Sequence, residues 1–321
     1  MKWFFRILGV IFTAIFIALI VMRVPDTDPV EMRAKYAGPP SQFVELSDGL
    51  KVHLRDEGPV NGGSDAPVII LLHGSNADLY TWDAWAEGLK NDYRVIRFDQ
   101  IGHGLTGPAM DDDYSPASFT EDIGEIADVL QLDSFVLAGN SMGGGIAMRY
   151  ALEHPERLDG LVLVDAGGAP IKREGGGNLA FTLAGIPGLN SILATITPRS
   201  LAERSLAQSV SNQNIVTDEM IDRYWEMARY PGNRAATLKR FSTPRTPFNA
   251  AEIAQVKVPT LVMWGEEDTL IPYQAAGWFT EHLPNATLAN YPSIGHLPHE
   301  EAADETVADL RAWLVTLKPA E

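Results

Sequence analysis

Apolar residues in this chain gather in short continuous blocks, and between the blocks they recur at helical spacing. Blocks at 42–46, 51–56, 68–72, 94–98, 134–138, 160–164, 260–264 and 287–291 predict strands. The first two read as an antiparallel hairpin across Ser47-Asp48-Gly49, a turn-forming sequence. The later blocks are runs of Val, Ile and Leu without polar alternation, which suits strands buried on both faces of a mostly parallel sheet. Helical patterns separate them. After Ser141, for example, Ile146, Ala147, Tyr150 and Ala151 repeat at helical spacing until Pro155 ends the run. Residues 168–256 break the alternation with no strong strand pattern. The clearest helix there carries Ile221, Tyr224, Trp225 and Ala228, with Thr217 as N-cap and Pro231-Gly232 as stop.

The N-terminus has a pattern of its own. Residues 7–22 are uncharged and almost wholly apolar, preceded by Lys2 and Arg6 and followed by Arg23, Asp26, Asp28 and Glu31. Extended through Trp3-Phe4-Phe5, the stretch nears the roughly 20 residues that cross a bilayer. It is long for the apolar region of a cleavable signal peptide, and no Ala-x-Ala-like site precedes Pro25. The expectation is therefore a membrane anchor over residues 1–24, with Lys2 and Arg6 on the cytoplasmic side and the remaining domain periplasmic or otherwise extracytoplasmic. Secretion after signal cleavage is the rival reading. Residues 25–40, polar and proline-punctuated, then read as a tether.

Composition narrows the partners. With 321 residues, 45% of them hydrophobic, the chain can form one large domain and an insertion. A formal charge of -17 argues against nucleic acid, since a polyanion would be repelled. The absence of cysteine removes disulfides, thiol nucleophiles and thiolate metal sites. No clustered ligand spacing suggests a metal, so the site is expected to work without a cofactor.

Candidate chemistry lies at the strand ends. Gly139-Asn140-Ser141-Met142-Gly143 stands where the 134–138 block stops and a helical pattern starts, the sequence form of a nucleophile elbow. The block at 260–264 runs into Gly265-Glu266-Glu267-Asp268, and the last block leads to Ile294-Gly295-His296. The order Ser141, Asp268, His296 differs from those of chymotrypsin-like and subtilisin-like enzymes. His296 would accept the proton of Ser141, and Asp268 would orient the imidazole. The amides of Ser75, in His73-Gly74-Ser75, and of Met142 would receive the oxyanion. Asp165, just after the 160–164 block, is a second place for the acid, whereas Glu267 would point elsewhere on its turn. Of the remaining histidines, His299 is nearest the site, and His53, His154 and His282 lie in surface-like contexts.

With His73-Gly74, residues 99–104 (Asp-Gln-Ile-Gly-His-Gly), the elbow, residues 264–268 (Trp-Gly-Glu-Glu-Asp) and Gly295-His296 in that order, the chain resembles the α/β-hydrolases with a single cap insertion. The resemblance covers roughly residues 43–316. It implies an α/β-hydrolase fold: a mostly parallel eight-stranded sheet flanked by helices, a core of residues 41–167 and 257–321, and a helical cap of residues 168–256 inserted after the sixth strand. It also implies that Asp99, in a loop motif shared with His103, supports the structure. Family members that open epoxides or displace halide typically carry aspartate at the elbow, and this chain has serine. The expected activity is hydrolysis of apolar carboxylic esters, lactones or monoacylglycerol-like lipids through an acyl-enzyme on Ser141. Apolar cap residues such as Phe181, Leu183, Ile186, Leu189, Ile192, Leu193, Trp225 and Phe241 fit such substrates. The alternative is a carbon–carbon bond hydrolase of the meta-cleavage type, whose elbow closely resembles residues 139–144. Those enzymes commonly have Trp after the catalytic His, where this chain has Leu297. A perhydrolase and a non-catalytic ligand receptor are minor readings.

Overall fold

A computed structural model describes the chain except for residues 1, 22, 62, 64, 65, 172–194 and 318–321. Its strands are β1 (Ser41–Glu45), β2 (Lys51–Glu57), β3 (Val68–Leu72), β4 (Arg94–Phe98), β5 (Phe135–Asn140), β6 (Leu158–Val164), β7 (Thr260–Gly265) and β8 (Ala286–Tyr291). Every one coincides with a predicted block. They form one sheet in the order β1-β2-β4-β3-β5-β6-β7-β8, antiparallel at β1–β2 and β2–β4 and parallel elsewhere.

The described helices are α1 (Lys2–Val21), α2 (Pro29–Tyr36), α3 (Asp83–Leu89), α4 (Pro116–Val129), α5 (Met142–Glu153), α6 (Arg199–Ser209), α7 (Asp218–Ala228), α8 (Asn233–Ser242), α9 (Ala250–Ile253), α10 (Gln274–His282), α11 (Pro298–Glu301) and α12 (Ala303–Thr316). Both faces of the sheet are covered, which explains the unbroken apolar blocks. Ile70, Leu72 and Leu137 pack with Phe119 and Ile123 of α4, Ile146 and Tyr150 of α5, and Phe279 of α10. Alternate residues Ile69, Leu71, Val136 and Ala138 pack on the other side with Trp85 of α3 and Leu310, Trp313 and Leu314 of α12. The period of two thus sends successive aliphatic side chains into two separate layers.

Between β6 and β7 the described residues form only helices, α6 to α9, as expected for a cap. Thr217 caps α7 by accepting a hydrogen bond from the Met220 amide at 3.2 Å. Of the apolar residues expected to line the cap, Phe181, Leu183, Ile186, Leu189, Ile192 and Leu193 fall outside the described residues.

Two N-terminal expectations change. The first stretch is helical as α1, but among the described residues no helix is long and apolar enough to cross a membrane. Lys2 and Arg6 fall inside the helix, so its uncharged part from Ile7 to Val21 reaches only about 22 Å, short of the roughly 30 Å of bilayer hydrocarbon. This overturns the membrane-anchor reading and the extracytoplasmic placement built on it. The segment read as a tether is ordered against the insertion. Asp28 caps α2, Met32 is buried, Lys35 and Tyr36 bind Glu226 of α7 at 2.7 and 2.8 Å, and Asp26 pairs with Arg234 of α8 at 2.5 Å.

Candidate active site

Ser141 occupies the turn between β5 and α5 at φ 54° and ψ −114°, a backbone conformation that costs a non-glycine residue on the order of 1–3 kcal/mol. Surrounding hydrogen bonds hold it there. The Ser141 amide donates to Val164 O at 3.0 Å, and its carbonyl accepts from the amides of Gly145 and Gly167 at 3.1 and 2.8 Å. The turn also needs bare backbone beside it: a Cβ on Gly143 would lie 2.4 Å from Leu72 O, and one on Gly139 would lie 2.3 Å from Gly143 O.

The expected oxyanion loop is close by. A Cβ on Gly74 would sit 3.2 Å from the Ser141 Cβ, so the backbone leading into Ser75 lies against Ser141. Met142 is the first residue of α5, where the free amides of the helix start and its dipole both favour an anion. His73 shapes this loop instead of acting in it. Its Nδ1 donates to Gly74 O at 2.8 Å and its Nε2 accepts from the Gln100 amide at 3.0 Å, while complete burial pushes the imidazole down to about 4.

The loops after β7 and β8 bring the other two residues together. His296 Nδ1 donates to Asp268 Oδ2 at 2.7 Å, and the amides of Leu270 and Ile271 donate to Asp268 Oδ1 at 2.7 and 2.9 Å. Both side chains are buried. With the proton on Nδ1, Nε2 carries the ring's basic lone pair. The loop is held from several sides: His296 N donates to Ser209 O at 2.7 Å, and Asn140 Nδ2 donates to His296 O at 3.1 Å. Glu301 accepts from the amides of Gly295, Ser211 and Asn212, tying this loop to the end of α6.

Asp165, the second candidate for the acid, lies beside Asp268 but leaves the imidazole to it. Burial, and then the charge of Asp268, push its carboxyl well above the usual range. Asp165, Asp268 and His296 are the one group of three or more metal-type donors within 4.8 Å of one another among the described residues. Two of its atoms are already spent on the His296–Asp268 bond, so the set fits a proton better than a cation.

Asp99 supports loops, accepting from the amides of Leu79 and Leu105 and pairing with His53 at 2.8 Å. His53 is therefore fully buried rather than surface-like. His299 is buried too, bonded through Nε2 to Thr81 Oγ1 at 2.9 Å and stacked on Trp82, and burial lowers it to about 3. Sequence reasoning missed Arg240 of α8, fully buried and bonded to His103, Ser75 Oγ and Asn76 Oδ1. Burial pushes its guanidinium down to about 9. Nothing in the amphipathic pattern of α8 marks this one arginine as inward-facing.

A family model described as the alpha/beta hydrolase fold matches residues 67–303. The chain belongs to that family. Among curated relatives of this α/β-hydrolase is the 2-hydroxy-6-oxononadienedioate/2-hydroxy-6-oxononatrienedioate hydrolase of Comamonas testosteroni, 28% identical over 281 residues, covering 82% of this chain and 92% of that protein. The 2-hydroxy-6-oxo-6-phenylhexa-2,4-dienoate hydrolase of Burkholderia cepacia is 27% identical over 285 residues, covering 82% and 92%. A meta-cleavage product hydrolase from Pseudomonas fluorescens IP01 shares the fold at a TM-score of 0.73 and 24% identity, over 86% of this chain and 98% of that one.

These relatives overturn the expectation of an ester hydrolase and favour the carbon–carbon alternative. The motifs could not separate the two. A serine with an imidazole base attacks a carbonyl whether the leaving group is an alkoxide or a stabilised carbanion.

Proposed function

We propose that this α/β-hydrolase cleaves a carbon–carbon bond in 2-hydroxy-6-oxo-dienoic acids, the ring-fission products named for its relatives, through a covalent acyl-enzyme on Ser141. The observation that carries the reading is the similarity to two such hydrolases over 82% of the chain, joined to a buried His296–Asp268 pair and a serine held at positive φ.

In this reading the 6-oxo carbon is attacked by the Ser141 hydroxyl as His296 Nε2 takes its proton. The oxyanion rests on the amides of Ser75 and Met142, where losing one donor costs on the order of 3 kcal/mol. The substrate reacts as its 2,6-dioxo tautomer, in which the 2-hydroxyl proton has moved to C5; when the intermediate collapses, the C5–C6 bond breaks, its electron pair is taken up as a dienolate conjugated to the 2-oxo group, and the enolate oxygen regains a proton from the imidazolium. Water activated by His296 then releases the acid from Ser141. Asp268 holds the productive tautomer throughout. We assign residues 168–256 as the cap that closes over this site. Leu297, where the meta-cleavage group commonly has Trp, packs with Leu206 and Val210 of the α6 region and Met220 and Ile221 of α7, so this position joins core to cap.

The test is turnover of 2-hydroxy-6-oxo-6-phenylhexa-2,4-dienoate, followed by loss of its dienolate absorbance, with Ser141→Ala alongside. Turnover that falls by about 10⁴-fold or more in the variant is expected. A folded wild-type protein that consumes none of the ring-fission acids would sink the proposal.

A further inference from the structure

Asp165 is a buried carboxyl that the proposed reaction does not use. It follows β6 at φ 45° and is wholly screened from solvent. Its Oδ1 accepts from the Gly265 amide at 3.2 Å, while its Oδ2 has no hydrogen-bond partner. Such an oxygen is expensive to bury, so a partner is expected. What lies beside it is another carboxyl, that of Asp268. Two ionised carboxylates cannot share a dry site at this distance, but one proton between them converts repulsion into a charge-assisted hydrogen bond.

The geometry decides which group keeps the proton. Asp268 accepts from two backbone amides and from His296, three donors that stabilise its charge, whereas Asp165 accepts from one amide. We propose that Asp165 is a positioning residue that stays protonated and donates a hydrogen bond to Asp268, so that the acid behind His296 is a pair of carboxyls sharing one negative charge. Burial and the adjacent Asp268 charge hold the Asp165 carboxyl well above the ordinary range, in keeping with this. The other titratable groups facing the pair are His296, Glu301, held by its backbone amides, and Tyr291, bonded to Asp309. Drawing charge away from Asp268, the hydrogen bond weakens the carboxylate's pull on the imidazolium proton and keeps Nε2 available as a base.

The inference rests on the assignment of Asp268 and His296 to the proposed reaction, and its deciding measurement needs no substrate. The His296 imidazole is titrated by NMR in the full chain, in Asp165→Ala and in Asp165→Asn. Loss of the donor in Asp165→Ala should move the midpoint to higher pH, by roughly half to one unit, and the acid limb of kcat/KM should move with it. Asp165→Asn, whose amide donates the same bond, should restore the wild-type midpoint. A shift to lower pH would mean that a negative charge had been removed, and an unchanged midpoint would make Asp165 a packing residue; either overturns the proposal. If Asp165→Ala does not fold, infrared spectroscopy decides: the difference spectrum of wild type minus Asp165→Asn at neutral pH should contain a protonated-carboxyl band, over and above that of Asp122, and identical spectra would refute the shared proton. Failure to turn over ring-fission acids leaves this titration intact, so the two readings fail separately.

Discussion

Asn140 connects three loops with one side-chain amide. Its Nδ2 donates to Val164 O at 3.2 Å and to His296 O at 3.1 Å, and its Oδ1 lies where a Cβ on Gly74 would come within 2.8 Å. The residue beside Ser141 therefore registers the β6 end, the loop carrying His296 and the His73-Gly74-Ser75 loop against one another. Asn140→Ala would leave the buried His296 carbonyl without this donor, at a cost of about 1–3 kcal/mol, while Val164 O would keep the Ser141 amide. Much of that cost should appear as misplacement of His296. The expected result is a fall in kcat of roughly 10- to 100-fold with KM little changed, and a lower melting temperature. Asn140→Asp should be worse, because a carboxylate there would face the same carbonyls with no proton to give. Steady-state kinetics on the dienoate and thermal unfolding of both variants check this, and an Asp variant as active as wild type would remove Asn140 from the positioning role.

At the scale of elements, α2 matters because it turns the N-terminal segment into a clasp on the cap helices. Met32 is buried with Leu105, Met227 and Tyr230, so one α2 side chain bridges a core loop and the C-terminal end of α7. Met32→Ala should cost about 2 kcal/mol, the lower end for a buried methionine, since this cluster lies at the edge of the fold. It should also raise KM more than it lowers kcat if the cap loosens, and a change in melting temperature alone would confine α2 to stability. This docking was not legible beforehand, because Pro25, Asp26 and Asp28 carry turn chemistry and what holds the segment is distant in sequence: Glu226, Arg229 and Arg234. The strands were legible for the opposite reason. Burial on both faces makes β3, β5 and β7 almost wholly apolar, and the elbow and the Asp268 loop follow directly where β5 and β7 end, as the His296 loop follows β8. Asp268 and His296 do meet, at 2.7 Å. The proton-sharing neighbour Asp165 was visible only as a rival acid, since its relation to Asp268 depends on β6 and β7 being adjacent in the sheet. Bond type was illegible for a chemical reason: ester and carbon–carbon cleavage make the same first demands on serine, imidazole and oxyanion donors.

Over the whole molecule, the charge of -17 makes carboxyl protonation a stability variable, and Asp122 on α4 is where it should be most visible. Burial pushes its carboxyl from the ordinary 3.8 up to about 8, helped by the charges of Asp48, Glu125, Glu121 and Asp111. Between those two values the folded chain holds a proton that the unfolded chain has released, so rising pH favours unfolding across this window. The buried histidines act the other way, but only on the acid side. His73 and His299, lowered to about 4 and about 3, lack protons in the folded chain that the unfolded chain binds below about 6.5, so their penalty grows as pH falls. Above pH 6.5 they are silent and the carboxyl remains. Asp122→Asn cannot ionise, so its melting temperature relative to wild type should climb steadily from pH 6.5 to 8. Salt separates the two causes: screening removes repulsion from the surrounding acids but leaves the burial cost, so at high ionic strength the climb should shrink without vanishing. A difference in melting temperature that is flat across the same range would show that Asp122 is already ionised in the folded chain, and that the acidic surface is tolerated by solvation alone.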